Sequence, residues 1–429
     1  MCKVSVIMPV YNAENFLEKS IESISKQTMD DLELICIDDK STDNSLIVLN
    51  ELKLKYPFLK IIEREHQGIG KTRNAGINHA EGEYIAFLDA DDIYVDENAL
   101  EAMYNFAIEN DANFVSANLS FIEQDYTIVN NPHYEMKDYA RFNEFSSIDP
   151  EDYGIPYAFY KGMFKADFLL SKNIYFPDFL CGEDPIFLAN VLTNVDEVYT
   201  VPLNLYGYNH SVGGGVNAKI NTYDKKRDYI QHFHDTSEIL SRGGLQATSD
   251  FYKIHLFRYL VWNENKYDED LFELYDEIFD MYNDSFDKTD FNYVIFNIAA
   301  KFYFVKKYDS EEFFKKVNSE FLTFNVYDTN TITYEILNKY FLIVYSYSLN
   351  DFKNNCEKLS MNNIEFKKEF FEFKLNKFLF NYSISDSRVV HKNTKNLILE
   401  DPNFESFFTS NKLLRNSYNV IQENYDLNK

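Results

Sequence analysis

The sequence predicts an α/β fold: a mostly parallel sheet with helices on both faces, followed by a mostly α-helical region. Three observations carry this. Short apolar runs at 4–8, 32–37, 59–63 and 85–88 read as strands. Helical stretches with apolar spacing near 3.6 alternate with them. Polar groups gather directly after each strand. Strands and helices in that alternation bury a parallel sheet between helical layers, and ligands of such sheets sit outside the carboxyl ends of the strands.

Taken in order, Val4-Ser5-Val6-Ile7-Met8 is a strand that stops at Pro9, and Asn12 can cap the next helix. Phe16, Leu17, Ile21 and Ile24 share one face of that helix. A second strand, 32–39, ends in Asp38-Asp39, and Lys40-Ser41-Thr42-Asp43 turns the chain into a helix reaching about Tyr56. Strand 59–63 follows, then a helix opened by Gly68, with Lys71 and Arg73 in its first turns. Ile85-Ala86-Phe87-Leu88 reads as the central buried strand. Beyond it come a helix over 97–110, a strand over 113–122, a polar irregular stretch over 123–155, a short helix at 166–172, an apolar helix after Glu183-Asp184-Pro185, and a closing strand from Val198 to Tyr208.

The chemistry centres on Asp89-Ala90-Asp91-Asp92, three carboxylates at the mouth of the central strand. Buried charge is costly without a partner. An Asp-x-Asp at such a strand end can hold a hard divalent ion, which in turn holds phosphates. The competing reading is an acidic helix cap, with Asp92 capping a helix that starts near Val95. Pro9, Tyr11, Asp38, Asp39, Asp89 and Asp91 all converge on the same sheet edge in this fold, which favours the metal–diphosphate reading. Glu183 and Asp184 admit two readings as well. They either complement a helix dipole, with Pro185 suited to the first turn, or supply a general base.

Two lookalikes carry nothing. Gly70-Lys71-Thr72 resembles the end of a phosphate-binding loop, but the upstream glycine position holds Glu65. Gly213-Gly214-Gly215 follows no strand into a helix and reads as a flexible loop.

Composition bounds the partners. The 429 residues carry 69 acidic and 42 basic side chains, a net charge of −27, which repels a phosphate backbone and argues against nucleic acid. Cys2, Cys36, Cys181 and Cys356 are far apart and form no CxxC pair, which fits a reducing compartment and no zinc cluster. There is no basic leader and no run of 18 apolar residues. The expectation is a cytoplasmic protein, with docking at the inner face of the membrane left open. From about 220 glycine thins out, and apolar residues recur at helical spacing in 225–241, 250–263, 268–282, 310–321, 333–347 and 365–380. Residues 216–429 therefore read as a helical accessory domain, through which the protein could self-associate.

Residues 1–215 resemble a family 2 glycosyltransferase of the GT-A fold. The resemblance rests on Val6-Ile7-Met8-Pro9-Val10-Tyr11-Asn12, Ile37-Asp38-Asp39-Lys40-Ser41-Thr42-Asp43, Gln67-Gly68 with Lys71-Thr72-Arg73-Asn74-Ala75-Gly76, Phe87-Leu88-Asp89-Ala90-Asp91-Asp92, and Gly182-Glu183-Asp184. Each segment is weak alone, but five in this order are specific. The helical region is not covered. The resemblance implies nucleotide-sugar binding by 1–112, and acceptor binding and the catalytic base in 113–215. It implies a nucleotide-sugar donor, most often UDP-linked, and a glycan, polysaccharide or glycolipid acceptor, in hexosyl- or N-acetylhexosaminyl transfer. Pro9 and Tyr11 would line the base pocket and Asp39 would accept a hydrogen bond from the base. Gln67 and Arg73 would bind the nucleotide, and Asp89 the ribose side. Asp91, with Asp89, would ligate Mn²⁺ or Mg²⁺. Asp184, with Glu183 beside it, matches the general base. His210 falls near a metal- or diphosphate-binding position that relatives often fill with Arg; a solvated loop histidine is the alternative.

That chemistry is consistent with the residues. A divalent ion neutralises charge developing on the leaving diphosphate, a carboxylate takes the proton of the attacking hydroxyl, and one in-line displacement inverts the anomeric carbon. A nucleotidyltransferase would instead show a Gly-rich loop where Pro9-Val10-Tyr11-Asn12-Ala13 stands. A non-catalytic binding scaffold would have been free to lose Asp89, Asp91 and Asp184.

Overall fold

The structure, a computed structural model, describes residues 2–129, 141–209, 220 and 222–249, together with Tyr252 and Leu274. In chain order the elements are β1 (Val4–Val10), α1 (Leu17–Ser25), β2 (Leu32–Asp38), α2 (Ser45–Lys55), β3 (Leu59–Glu63), α3 (Ile69–His79), β4 (Tyr84–Phe87), β5 (Ile93–Tyr94), α4 (Ala99–Glu109), β6 (Phe114–Ile122), β7 (Ser146–Ile148), β8 (Gly162–Lys165), α5 (Ala166–Ser171), α6 (Glu183–Leu192), β9 (Val198–Asn209) and α7 (Tyr223–Arg242). The chain divides into two compact units, Met1–Lys253 and Ile254–Lys429, and every element named here belongs to the first. The sequence-based boundary at 215/216 marks a change of composition; α7 lies beyond it and is still part of the first unit.

The strands form one sheet in the order β3-β2-β1-β4-β8-β6-β9-β5, with β7 on the flank of β9. The first four are parallel, as the alternation predicts. β8 enters antiparallel between β4 and β6, so the sheet as a whole is mixed. Register fixes the functional edge. Val10 pairs with Asp38 and Ile7 with Phe87, so the β1–α1 loop, Asp39 and Asp89 all emerge at the same sheet edge.

Every residue of β1 is buried, which suits a central strand of a parallel sheet. Pro9 does not end that strand as expected: β1 continues to Val10 and pairs Pro9 with Ile37. The pairing of β1 with β4 has already stopped at Ile7, so a residue without an N–H is tolerated at Pro9. On α1, Leu17, Ile21 and Ile24 are buried, each contributing roughly 1.5–3 kcal/mol of transfer free energy. Asn12 does not cap α1. It has a left-handed φ of 52°, and its Oδ1 accepts N–H bonds from Thr42 and Asp43, tying the first loop to the second.

The polar stretch after β6 contains a tight return, in which Val129 N–H reaches the Phe121 carbonyl, and then β7. Beneath the sheet edge, Phe87, Phe159, Phe164, Phe176 and Phe187 pack edge to face, with Phe176 and Phe187 stacked at 4.1 Å. Among the described residues no helix is long and apolar enough to cross a membrane. His210 and the Gly213–Gly215 loop lie outside the described residues, as do the helical stretches expected from 254 onward apart from Leu274.

Candidate functional site

Three segments far apart in sequence meet at the end of β4. Arg73 comes from α3, Asp89 from the turn after β4, and Glu183 and Asp184 from the first turn of α6. Arg73 joins them. Its Nη2 donates to both carboxylate oxygens of Asp89 at 2.9 and 3.1 Å, while its Nη1 donates to Glu183 and to Asp184, each at 2.9 Å. The side chain is only 2% exposed. Phe159 and Phe176 flank the guanidinium, their ring centroids 4.8 and 5.2 Å from its carbon. Burial alone would lower the Arg73 pKa, but Asp89, Asp184 and Glu183 together raise it and hold the charge. Both terminal nitrogens of Arg73, the residue expected to contact the nucleotide, are thus committed to carboxylates.

The acidic pair divides by exposure. The Glu183 side chain is 9% exposed and that of Asp184 30%, so Asp184 is the one of the pair open to solvent. Burial, with Glu183 and Asp89 nearby, pushes the Asp184 carboxyl well above its ordinary value, while Arg73 pulls it down. Glu183 and Asp184 stand in the first turn of α6, whose N-terminus favours negative charge.

Asp89, Asp91 and Asp92 take different positions although they are near neighbours. Asp89 is half-buried and held by Arg73. Asp91 is pushed up to about 6 by burial and by the charge of Asp89. Asp92 is not a helix cap. β5 intervenes, and α4 begins only at Ala99. Asp92 is buried, accepting from the Tyr206 hydroxyl at 2.5 Å and from Asn209 N–H at 2.7 Å. Tyr206 Oη also accepts the N–H of Asp89 at 3.2 Å. One buried phenol thus braces the whole turn. The aromatic run around Tyr206-Gly207-Tyr208 was the only sequence signal for it.

Among the described residues no group of three side chains is arranged to hold a metal by itself. The available donors are the carboxylates of Asp89 and Asp91. That set fits Mg²⁺ or Mn²⁺ in the mode where one or two carboxylates share the ion with substrate phosphates, and does not fit an all-protein cage. Burial and the charge of Asp89 raise Asp91 more than the charge of Arg73 lowers it.

On the other flank, Asp39 organises the nucleotide side. Its Oδ1 and Oδ2 accept the N–H groups of Gln67 and Gly68, both at 3.0 Å. Gly68 has φ 89°, which suits glycine. Both Asp39 oxygens are therefore engaged within the protein. Gln67 is exposed and contributes its backbone to Asp39, while its side chain takes a bond from Arg64. Pro9, expected to line the base pocket, is buried inside β1; Tyr11 is half-buried. His66 was missed by sequence reasoning. Its ring lies 4.6 Å from that of Tyr11, and its Nδ1 sits 2.9 Å from Asp39 Oδ2 and 3.1 Å from the Asp39 carbonyl. Two acceptors around Nδ1 require the proton there, which leaves Nε2 free to accept in the neutral ring. Tyr11 and His66, their rings packed against each other with a 30° tilt, form an aromatic wall beside Asp39.

The model of glycosyl transferase family 2 matches residues 5–167. Poly(ribitol-phosphate) beta-glucosyltransferase of Bacillus spizizenii is 35% identical over 206 residues, 46% of this chain and 30% of that protein. UDP-Glc:alpha-D-GlcNAc-diphosphoundecaprenol beta-1,3-glucosyltransferase WfgD of Escherichia coli is 38% identical over 129 residues, 30% of this chain and 47% of that one. The crystal structure of S. aureus TarS 1-349 in complex with UDP-GlcNAc superposes with a TM-score of 0.52 at 20% identity, covering 71% of this chain and 87% of that chain, a likeness of fold. The matched part spans about a third of the length of several curated relatives.

Proposed function

We propose that this chain, whose residues 5–167 belong to glycosyl transferase family 2, is an inverting glycosyltransferase. It moves a sugar from a UDP-linked donor to a hydroxyl of a polymeric or lipid-linked glycan acceptor. The observation that carries this reading is the Arg73 hub. One buried guanidinium sets a part-exposed carboxylate, Asp184, beside the Asp89–Asp91 turn that suits a diphosphate with its cation. The activities for which two relatives are named, on poly(ribitol-phosphate) and on a diphosphoundecaprenol-linked sugar, support the acceptor class, and the second supports UDP.

In this reading Asp184 accepts the proton of the attacking acceptor hydroxyl. Its raised pKa makes it a better proton acceptor once ionised. Arg73 keeps it aimed, because a guanidinium held by three carboxylates and two rings has little freedom left. The Tyr11–His66 wall stacks the nucleotide base, and Asp39 holds the adjoining loop in place. Asp91, with Asp89, would hold Mn²⁺ or Mg²⁺, which as a Lewis acid neutralises charge on the departing diphosphate.

The test is UDP binding and UDP-sugar turnover by Asp184→Asn. Turnover is expected to be lost with UDP affinity intact, and turnover near wild type would reject Asp184 as base. Asp91→Ala should abolish the Mn²⁺ dependence of UDP binding. If no nucleotide stabilises the wild-type protein against heat, with or without Mn²⁺, a binding scaffold becomes the better reading.

A further inference from the structure

Helix α7 lies past residue 167, where the family match ends. It holds three consecutive residues of the loop that delivers Asp184. Leu180 N–H donates to Asp228 Oδ2 at 2.9 Å, and the Cys181 thiol donates to the Lys225 carbonyl at 3.0 Å. Gly182 meets the ring of His232 so closely that a Cβ there would come within 2.3 Å of Cδ2. Lys225, Asp228 and His232 are three and four residues apart, which puts them on one face of α7.

The grip is rigid on the α7 side. Asp228 is 8% exposed and His232 fully buried, and the Tyr252 hydroxyl lies 3.0 Å from His232 Nδ1. It is also tight on the loop side. Gly182 takes a left-handed φ of 87°, and the next two residues are Glu183 and Asp184, already in the first turn of α6. Nothing separates the clamp from the two carboxylates on Arg73 except one peptide turn.

We infer that α7 is the positioning element of the general base: Asp228 and His232 set the Gly182 turn, and the turn sets the Asp184 carboxylate against Arg73. This rests on the reading of Asp184 as base. Asp228 and His232 touch no substrate in this role; they act through Leu180 and Gly182. A base displaced by an ångström or so loses on the order of 10²-fold in rate without any change at the nucleotide pocket.

The experiment uses the full chain with UDP-glucose and Mn²⁺, reading UDP release and, separately, UDP affinity by calorimetry. Asp228→Ala is expected to lower kcat about 10- to 100-fold with UDP Kd within about twofold. Its loop frees Asp184 toward water, so the acid limb of the pH–kcat profile moves to lower pH, burial being the main cause of the raised pKa. A merely destabilised protein would lose active fraction and keep its pH limb. Asp228→Asn retains an oxygen for Leu180 N–H and is expected to recover most of the rate. Tyr252→Phe, a milder change that removes the hydroxyl 3.0 Å from His232 Nδ1, is expected to shift kcat and the limb in the same direction and keeps the test open if Asp228→Ala does not fold. Unchanged kcat and pH limb in whichever of these folds, with Asp184→Asn inactive, would overturn the clamp and leave the base assignment standing. An Asn variant no better than the Ala one would overturn it too. An active Asp184→Asn would instead bring down the base reading itself.

Discussion

Arg73 holds Asp89 through both carboxylate oxygens, at 2.9 and 3.1 Å, from a position where its own side chain is 2% exposed. The same guanidinium bonds Glu183 and Asp184. Removing it would leave three acidic groups facing one another with no cation. Breaking one partner out of a buried ion pair costs roughly 3–5 kcal/mol. Arg73→Met is therefore predicted to lose about 3 kcal/mol or more in urea unfolding. Arg73→Lys should retain part of that stability but little turnover, because a single ammonium cannot span both sides. Equal turnover in Arg73→Lys and wild type would show that the bridging geometry is not required.

Asp91 gives a prediction in pH. Its carboxyl lies at about 6 in the folded protein against an ordinary value of 3.8. A raised carboxyl means that the folded state holds the proton more tightly than the unfolded chain. Its stabilising contribution is present below about pH 4 and is lost as pH rises through about 6. The Tm of metal-free Asp91→Asn should thus gain on that of the wild type across this window. A cation competes with that proton, so Mn²⁺-dependent UDP binding by wild type should weaken as pH falls below 6. A pH-independent Tm difference would reject the assignment.

Tyr206→Phe removes the donor to Asp92 and the acceptor for Asp89 N–H. Burial, with Asp91 and Asp89 close by, already pushes Asp92 well up, and the Tyr206 bond offsets part of this. The loss should cost about 1–3 kcal/mol, as for a buried polar group left unpaired. It should also weaken UDP binding in the presence of Mn²⁺ more than in its absence. Equal weakening under both conditions would place the effect elsewhere.

Asp39→Ala releases the Gln67 and Gly68 amides and removes the carboxylate beside His66 Nδ1. Charge-assisted bonds contribute roughly 1.5–3 kcal/mol each, so UDP affinity is predicted to fall at least about tenfold. Calorimetric titration with UDP checks it; unchanged affinity would mean that the Tyr11–His66 wall does not carry the base.

The sequence by itself determined the alternation of strands and helices, the depth of β1 and β2, and the convergence of Asp39 and Asp89 on one sheet edge. Hydrophobic period and turn residues are local, and a parallel sheet always collects the polar ends of its strands together. The start of α6 at Glu183 was legible for the same reason, from Gly182 before it and Pro185 within its first turn. The tertiary structure alone decided which acidic groups face each other. That Arg73 turns inward to Asp89, Glu183 and Asp184 depends on a side chain spanning more than a hundred residues of sequence separation. That Asp92 bonds Tyr206 instead of capping a helix depends on how β9 lies beside β5. That β8 inserts antiparallel beside β4 follows from the pairing of Ala86 with Met163. That α7 reaches the Gly182 turn depends on packing between α6 and α7, which no periodicity within either helix encodes. Local pattern sets what an element is; only the closed packing of non-local partners sets which charges are buried together, and the chemistry proposed here resides in those buried charges.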